Sequence, residues 1–322
     1  MRVLVYGAGV IGCYLTHVLC EAGNAVSLLA RGAWKENLEK NGLVIYHHLQ
    51  KKTTIDHPKI VSAPDDENGY DIVFAVMQYD QMMQILEPLS KINTKRLILV
   101  GNNMEAAAAE NYLREHGTHH PKILFGFQTT AGRREAHRVV CERLGKSGMD
   151  IGRLREKPSE KEKNMLHQCF QGTGYSLNWQ SNMESYLLCH AASILPLAYL
   201  TYICGGDLTA STRKQRQQAI TASGEGFALM RSLGYPILPA GEDKYFTSGI
   251  RRAAMNGVYD IMSAWKEMGD LIACSHCRHA VSEIEEIDVA FEKLRSQKPE
   301  IAMPAWQQLR DKTPSWDKLK NK

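Results

Sequence analysis

Short apolar runs alternate with amphipathic stretches through the first half of the chain. Buried strands are predicted at residues 70–76, 96–100 and 122–127, and helices at 33–40, 80–89 and 105–116. A hairpin-like pattern spans residues 43–62. Strands and helices that alternate at this spacing predict an α/β fold with a doubly wound parallel sheet, in which ligands bind at the carboxyl ends of the strands.

The second half of the chain has a different pattern. Helical periodicities occupy residues 183–202, 211–233, 249–266 and 276–294, and no alternating strand pattern is found beyond about residue 182. The sequence therefore predicts two domains, at residues 1–180 and 181–322, of which the second is entirely helical. Residues 311–322 are predicted to form a loose tail.

The segment 3–31 is typical of a strand, a tight turn, a helix and a second parallel strand. Its glycine triplet has three roles: the first allows the turn, the second lets a ligand approach the backbone, and the third lets the helix pack on the strand. Free N–H groups at the start of such a helix attract phosphate. The residues predicted to bind a nicotinamide dinucleotide are Gly7, Ala8, Gly9, Val10, Ile11 and Gly12. A purely structural turn is the alternative, because it needs the same glycines.

The residue at the end of the second strand indicates which dinucleotide is bound. A site that prefers NAD usually places Asp or Glu there to bind the ribose hydroxyls, whereas this chain places Arg31, with Lys35 one turn later. A guanidinium at this position favours a 2′-phosphate, so NADP(H) is the predicted cofactor. The alternative is that Arg31 is a solvated charge at a strand end.

Composition narrows the possible partners. The 322 residues carry a formal charge of +4, and 44% are hydrophobic and 23% charged, as in an ordinary globular protein. Basic residues occur in small clusters without interleaved aromatic residues, so nucleic acid is not a predicted partner. The eight scattered cysteines are typical of reduced thiols, which favours a cytoplasmic location.

Two further patterns resemble functional sites. The segment 274–279 contains two cysteines and two histidines, but a zinc site needs a second set of ligands at suitable spacing, so no metal is predicted. Residues 187–204 are nearly all apolar and long enough to span a membrane. His190, Pro196 and two tyrosines within that stretch favour a helix buried in a domain or at a subunit interface, so no membrane is predicted.

Several motifs resemble those of the ketopantoate reductase family. They are GAGVIG at 7–12, LLARG at 28–32, FAVMQYDQ at 74–81, VGNNME at 100–105, FGFQTTAGRRE at 126–135 and IGRL at 151–154. The resemblance covers most of the chain, and it implies an N-terminal Rossmann domain, a helical C-terminal domain and NADPH-dependent reduction of a 2-oxoacid. It also implies that Val76, Met77 and Asn102 lie against the cofactor.

The chain departs from the pattern of this family at two lysines. The family usually has a cofactor-contacting lysine where this chain has Met77, and a catalytic lysine where this chain has Leu188, which cannot donate a proton. Some relatives place a histidine two residues further on and an H-x-x-x-A-x-x-E helix later; His190 and the segment 276–283 resemble that branch. The resemblance therefore implies a small carbonyl or imine substrate other than ketopantoate.

Reduction of such a substrate requires a donor to the oxygen or nitrogen on which charge develops. Asn102, at a strand end, and His190, on the first helix of the second domain, are candidates, because the pKa of histidine suits general acid catalysis near neutral pH. His276 and Glu283 are predicted on one helix face with His279, where they could orient a base or bind substrate. The structural alternatives are a core histidine at 190 and a solvated face at 276–283.

Two functions therefore stay open. One is an NADPH-dependent reductase that uses His190, with Asn102, in place of the missing lysine. The other is a catalytically weak or inactive NADP-binding protein, a sensor or scaffold, which Leu188 favours. The predicted partners are a small-molecule substrate and a second copy of the chain in a homodimer.

Overall fold

The computed structural model describes residues 1–65, 67–143, 145–247 and 249–321. The chain separates into two compact units, Met1–Met183 and Glu184–Lys322. Twelve strands are found in the described part of the first unit: β1 Arg2–Tyr6, β2 Ala25–Leu29, β3 Leu43–His47, β4 Lys52–Asp56, β5 Lys59–Val61, β6 Ile72–Val76, β7 Arg96–Val100, β8 Lys122–Gln128, β9 Ala131–Arg134, β10 Val139–Glu142, β11 Gly148–Gly152 and β12 Ser176–Trp179. Its α-helices are α1 Val10–Glu21, α2 Gly32–Asn41, α3 Tyr79–Met82, α4 Leu86–Ser90, α5 Ala106–His116 and α6 Glu160–Cys169.

Eight of these strands form the main sheet, in the order β12-β11-β8-β7-β6-β1-β2-β5. All neighbours are parallel except β11, which runs antiparallel to β8. From β1, the chain moves to one side through β2 and later to the other side through β6, so the winding direction changes beside β1. A ligand crevice forms at such a change, at the carboxyl ends of the strands. The predicted Rossmann fold is confirmed.

The central strands are apolar because helices cover both faces of a parallel sheet. β6 is buried along its whole length, and Val3, Leu4 and Val5 of β1 are fully buried. The helix α6 begins at Ser159, whose hydroxyl accepts the N–H of Glu162, while the Glu162 carboxylate accepts the N–H of Ser159. This reciprocal cap explains why the helix starts after Pro158.

A second sheet has the order β4-β3-β10-β9. Its strands β3 and β10 are parallel and pair Ile45 with Val139 and His47 with Cys141. The hairpin predicted within residues 43–62 forms as β3 and β4, but the last part of that stretch is β5, which joins the main sheet beside β2. The sequence showed these short strands but not which of them pair.

The second unit is helical, as predicted. Its α-helices are α7 Met183–Ile203, α8 Arg213–Ser232, α9 Lys244–Thr247, α10 Gly249–Ala264, α11 Lys266–Gly269, α12 Ser275–His279, α13 Val281–Arg295, α14 Pro304–Lys312 and α15 Trp316–Lys320, with a 3₁₀ turn at Leu208–Ala210 and a π-helical turn at Asp270–Cys274. The helix α7 is long and apolar enough to cross a membrane by length and composition, yet 72% of its most apolar window is buried within the protein. The fully buried Trp306 packs on Phe291 and Tyr199 at the core of this unit.

Three local predictions were wrong. The helix predicted at 80–89 is broken into α3, a 3₁₀ turn and α4. The helix predicted at 276–294 breaks at Ala280, whose φ and ψ of −129° and 38° are not helical. The predicted tail is ordered instead: Trp316 packs edge-on against Tyr202, and α15 buries Leu319.

Candidate active site

The carboxyl ends of β1, β6 and β7 lie in close contact. Gly7 has a φ of +122°, and a Cβ added there would lie 2.2 Å from the carbonyl oxygen of Val76. Gly101 has a φ of +139°, and its Cβ would lie 2.5 Å from the carbonyl oxygen of Met77. Only glycine fits at either position. The predicted cofactor residues Val76, Met77 and Asn102 therefore border the glycine turn of β1, and the role of Gly101 was missed from sequence.

The other two glycines of the triplet differ in their surroundings. A Cβ on Gly12 would lie 1.9 Å from the carbonyl oxygen of Gly7, so this glycine lets α1 pack against the turn. A Cβ on Gly9 would meet no atom within 4 Å, so the space above Gly9 is open. Gly9 begins α1 without a side-chain cap, and the first turn of α1 holds no acidic residue. The N–H groups of this turn can therefore bind a phosphate that approaches Gly9.

Arg31 lies at the N-terminus of α2, just after β2. Its guanidinium donates to the hydroxyl of Tyr6, at the end of β1, with an N–O distance of 3.5 Å. Lys35 is paired with Glu39 at 3.2 Å, whereas Arg31 forms no ion pair among the described residues. Arg31 is thus held beside the glycine turn by a neutral partner and keeps its charge for an anionic ligand.

A second cation packs on the first turn of α2. The guanidinium of Arg134, on β9, lies over the ring of Trp34 at 5.3 Å from the ring centroid. This contact brings a positive charge from the second sheet to the helix that follows Arg31. Because β9 is distant in sequence, the motif could not reveal it.

Polar side chains link the loops after β6 and β7. The Tyr79 hydroxyl donates to the Glu105 carboxylate at 3.1 Å, and Asn103 accepts the Glu105 N–H at 3.1 Å. Asn103 is 4% exposed, and its side-chain Nδ2 has no hydrogen-bond partner among the described residues. A buried amide donor without a partner is costly and suits a ligand acceptor. Together with the open space at Gly9, this donor shows that the site fits a polar dinucleotide. Asn102 itself is half-buried.

The other candidate residues lie in the helical unit. His190 is on α7, and its ring lies parallel to that of Tyr186, with centroids 6.5 Å apart. Burial, aided by the nearby His276, lowers the pKa of His190 to about 4. The imidazole is therefore neutral at neutral pH, which differs from the ordinary pKa that the sequence argument assumed.

His190, His276 and Glu283 are brought together, although not as predicted. His276 lies on α12 and Glu283 on the first turn of α13, across the break at Ala280, with the His276 Nε2 and Glu283 Oε2 atoms 3.5 Å apart. The Glu283 side chain is 4% exposed and that of His276 is 45% exposed. His279 does not join them, because its Nδ1 contacts the Ser275 carbonyl oxygen at 2.7 Å.

The lysine position and the apparent metal motif are both apolar in character. Leu188 is 3% exposed and belongs to the core. Burial raises the pKa of the Cys277 thiol to about 12, so this side chain is protonated and a poor metal ligand. Within the described ranges, no group of three or more Cys, His, Asp or Glu side chains could hold a metal ion.

Known proteins with similar sequences share the N-terminal motifs. The family described as ketopantoate reductase PanE/ApbA matches residues 3–156. "Uncharacterized oxidoreductase YkpB" of Bacillus subtilis (strain 168) is 31% identical over 100 residues, which is 31% of this chain and 32% of that protein. The aligned stretch thus spans about a third of that relative.

Solved structures match along nearly the whole chain. A PanE/ApbA family ketopantoate reductase from Ralstonia eutropha JMP134 has a TM-score of 0.73 at 18% identity, covering 99% of this chain and all 100% of its own. D-mandelate dehydrogenase, solved with NADH and anilino(oxo)acetate, has a TM-score of 0.76 at 16% identity, covering 99% of each chain. A dimeric ketopantoate reductase from Staphylococcus aureus has a TM-score of 0.67 at 12% identity, covering 100% of this chain and 98% of its own. These likenesses show the fold.

Motifs, fold and relatives agree on one family, so the resemblance inferred from the sequence is confirmed. The family and the fold indicate an oxidoreductase that uses a nicotinamide cofactor. Through residues 3–156, the chain belongs to the ketopantoate reductase PanE/ApbA family.

Proposed function

We propose that this protein is an NADPH-dependent reductase of a small carbonyl or imine compound other than ketopantoate. The observation that carries the proposal is the glycine turn, where Gly7 and Gly12 are closed by backbone and Gly9 faces open space. Arg31, held beside this turn by Tyr6, is the proposed ligand of the 2′-phosphate. The NADH-bound structure of D-mandelate dehydrogenase, which has the same fold, supports a nicotinamide cofactor at this site.

The chemistry divides between the two units. A bound nicotinamide would supply the hydride. From the first unit, Asn102 is proposed to hold the reacting end of the site. From the second, the neutral His190 is proposed to donate an N–H hydrogen bond to the substrate oxygen or nitrogen as charge develops there. His276, half-exposed and paired with Glu283, can exchange protons with water and is proposed to orient or reprotonate this site.

The cofactor proposal is tested by Arg31→Ala. A hydrogen bond between charged groups contributes about 1.5–3 kcal/mol. We expect the Kd for NADPH to rise by roughly tenfold to a hundredfold, with little change for NADH, in a fluorescence titration. Lys35→Ala is the matched control, because Lys35 is already paired with Glu39. An equal loss of both cofactors in Arg31→Ala would show that Arg31 does not bind the 2′-phosphate.

The second candidate function is NADP binding without catalysis, and Leu188, buried where the family has its lysine, favours it. NADPH oxidation with a panel of small 2-oxoacids, ketones and imines distinguishes the two. Turnover of any panel compound supports the reductase. Tight NADPH binding with no turnover across the panel supports the sensor or scaffold.

The dimeric S. aureus relative also supports a homodimer here. We propose that two copies of this chain associate through their helical units.

A further inference from the structure

The helix α10 has an exposed apolar stripe. Ile250, Val258 and Ile261 on α10, and Trp265 directly after it, are 89%, 40%, 50% and 65% exposed. Their spacing places them along one side of the helix. The opposite side is buried through Tyr259 and Met262, which are 3% and 1% exposed. Single exposed apolar residues are ordinary, but a contiguous stripe that ends in tryptophan is typical of an interface.

The middle of this stripe, residues 250–265, is open and flat. Ala254 is exposed, and a Cβ added to Gly257 would meet no atom within 4 Å. Small residues at this point allow the axis of a second helix to approach within about 8–10 Å. The larger side chains, Ile250 and Trp265, lie at the two ends of the stripe. Such an arrangement complements its own copy when that copy runs in the opposite direction.

The charges beside the stripe have the same asymmetry. Arg251 lies at the N-terminal end of α10, and Asp260 and the exposed Glu267 lie toward and beyond its C-terminal end. Lys266 is already paired with Asp207 at 3.1 Å. An antiparallel copy brings the basic end of one stripe near the acidic end of the other, and opposes the two helix dipoles favourably. A membrane surface fits less well, because membrane-binding helices carry mainly Lys and Arg on the polar face.

We propose that the stripe 250–265 is the contact through which two copies of this chain associate. The copies cross near Gly257 in antiparallel orientation, with Trp265 of one copy beside Ile250 of the other. This inference rests on the homodimer proposed above and adds the surface and the orientation. A helix of 16 residues is about 24 Å long, so the contact is at the small end of specific interfaces. The dimer is therefore expected to dissociate on dilution.

The surface is tested by Trp265→Glu in sedimentation velocity, over protein concentrations from sub-micromolar to 100 micromolar. The wild-type protein should shift from the 36.2 kDa monomer to a dimer as concentration rises. The variant should stay monomeric, with an unchanged circular dichroism spectrum because Trp265 is exposed. Ile55→Glu is the matched control: Ile55 is 57% exposed on β4, outside the stripe, and this variant should dimerise like the wild type.

The orientation is tested by cross-linking with a short bis-maleimide. In the antiparallel pair, Val258 lies near its own copy, whereas Ile250 lies about 22 Å along the axis from its copy. Val258→Cys should therefore give covalent dimers and Ile250→Cys should not, above the background of the wild-type cysteines. Cross-linking of Ile250→Cys alone would overturn the antiparallel arrangement.

Three outcomes would overturn the proposed surface: a wild-type monomer at every concentration, a Trp265→Glu variant that still dimerises, or Trp265-dependent sedimentation with phosphatidylglycerol vesicles. NADPH titration of the same samples separates this inference from the cofactor proposal. A protein that binds NADPH but never dimerises fails only the surface. A dimer that does not bind NADPH fails only the cofactor assignment.

Discussion

The protonation state of His190 decides what this residue can do in the proposed reaction. Burial lowers its pKa to about 4, so the resting enzyme holds a neutral imidazole with one N–H to donate. A neutral donor in a buried site stabilises developing negative charge without being deprotonated by solvent first. His190 is therefore a hydrogen-bond donor, and the proton itself must come from a group with access to water.

For His190→Ala, we expect kcat to fall by about 10²–10⁴-fold, with the Kd for NADPH unchanged, once a substrate is found. His279→Ala is the matched control. His279 lies on α12 beside His276, but its ring contacts the Ser275 backbone, so its removal should leave kcat within a few-fold of wild type. Steady-state kinetics and a cofactor titration measure both quantities. Equal kcat values for the two variants would remove His190 from the mechanism.

At this scale, the sequence predicts residues whose role depends on their own chemistry. The glycine triplet could be read because each glycine answers a local demand of one strand–turn–helix unit. Asn103 could not, because its unpartnered amide results from burial by several elements. His279 was misplaced for a similar reason: the break at Ala280 turns its ring away from Glu283, and nothing in the local periodicity marks that break.

At the scale of elements, the second sheet encloses an unusual set of polar groups. His47, on β3, is fully buried, and its Nδ1 and Nε2 contact Arg143 Nη2 at 3.2 Å and Thr54 Oγ1 at 2.8 Å. The rings of His17 and Tyr14, on α1, lie 5.2 and 6.2 Å from the His47 ring. Because Arg143 donates to Nδ1, protonation of His47 would break this bond and place two cations together.

This arrangement predicts how stability depends on pH. Burial, with His17, Arg143 and Lys52 nearby, lowers the pKa of His47 from 6.5 to about 4, against the opposing effect of Asp56. Below pH 6.5 the unfolded chain binds a proton here that the folded chain does not, so stability falls until the folded pKa is reached. The loss should total about 3 kcal/mol between pH 6.5 and pH 4.

Urea unfolding at several pH values measures this loss. His47→Gln should be less stable at pH 7 but should show a flatter pH dependence, because it removes the titrating group. His119→Gln, at an exposed position, should keep the wild-type dependence. A wild-type slope in the His47→Gln variant would assign the acid sensitivity to other groups.

The strands of this sheet show the limit of sequence analysis for elements. The main sheet follows from alternating apolar runs, since each parallel strand is joined to the next by a covering helix. The pairing of β3 with β10 joins residues about 95 positions apart, such as Ile45 and Val139, and no turn between them fixes the register. The individual strands were therefore visible, and their partners were not.

At the scale of the whole molecule, each unit holds part of the proposed machinery. The first unit supplies the glycine turn, Arg31 and Asn102, and the second supplies His190, His276 and Glu283. Family membership could be inferred from the first unit because its motifs bind a common cofactor. The substrate could not, because the lysine that defines the usual chemistry is replaced by Leu188, and the second unit is built from helices whose polar residues are few.

Cofactor binding should appear in the stability of the whole protein. NADPH at a hundred times its Kd should raise the free energy of unfolding by about 2.7 kcal/mol in urea titrations. Gly9→Ala should unfold like the wild type without NADPH, since its methyl group meets open space at a φ of −77°. It should lose the NADPH increment, because that methyl occupies the approach of the phosphates.

Gly12→Ala separates packing from binding at the same turn. Its methyl would lie 1.9 Å from the Gly7 carbonyl oxygen, so α1 must shift, at a cost of about 1–3 kcal/mol even without cofactor. The two substitutions add the same atoms three residues apart, yet one should change only binding and the other should change folding. If Gly9→Ala kept the full NADPH increment, the phosphates would not approach the backbone at Gly9, and the proposed cofactor site would be wrong.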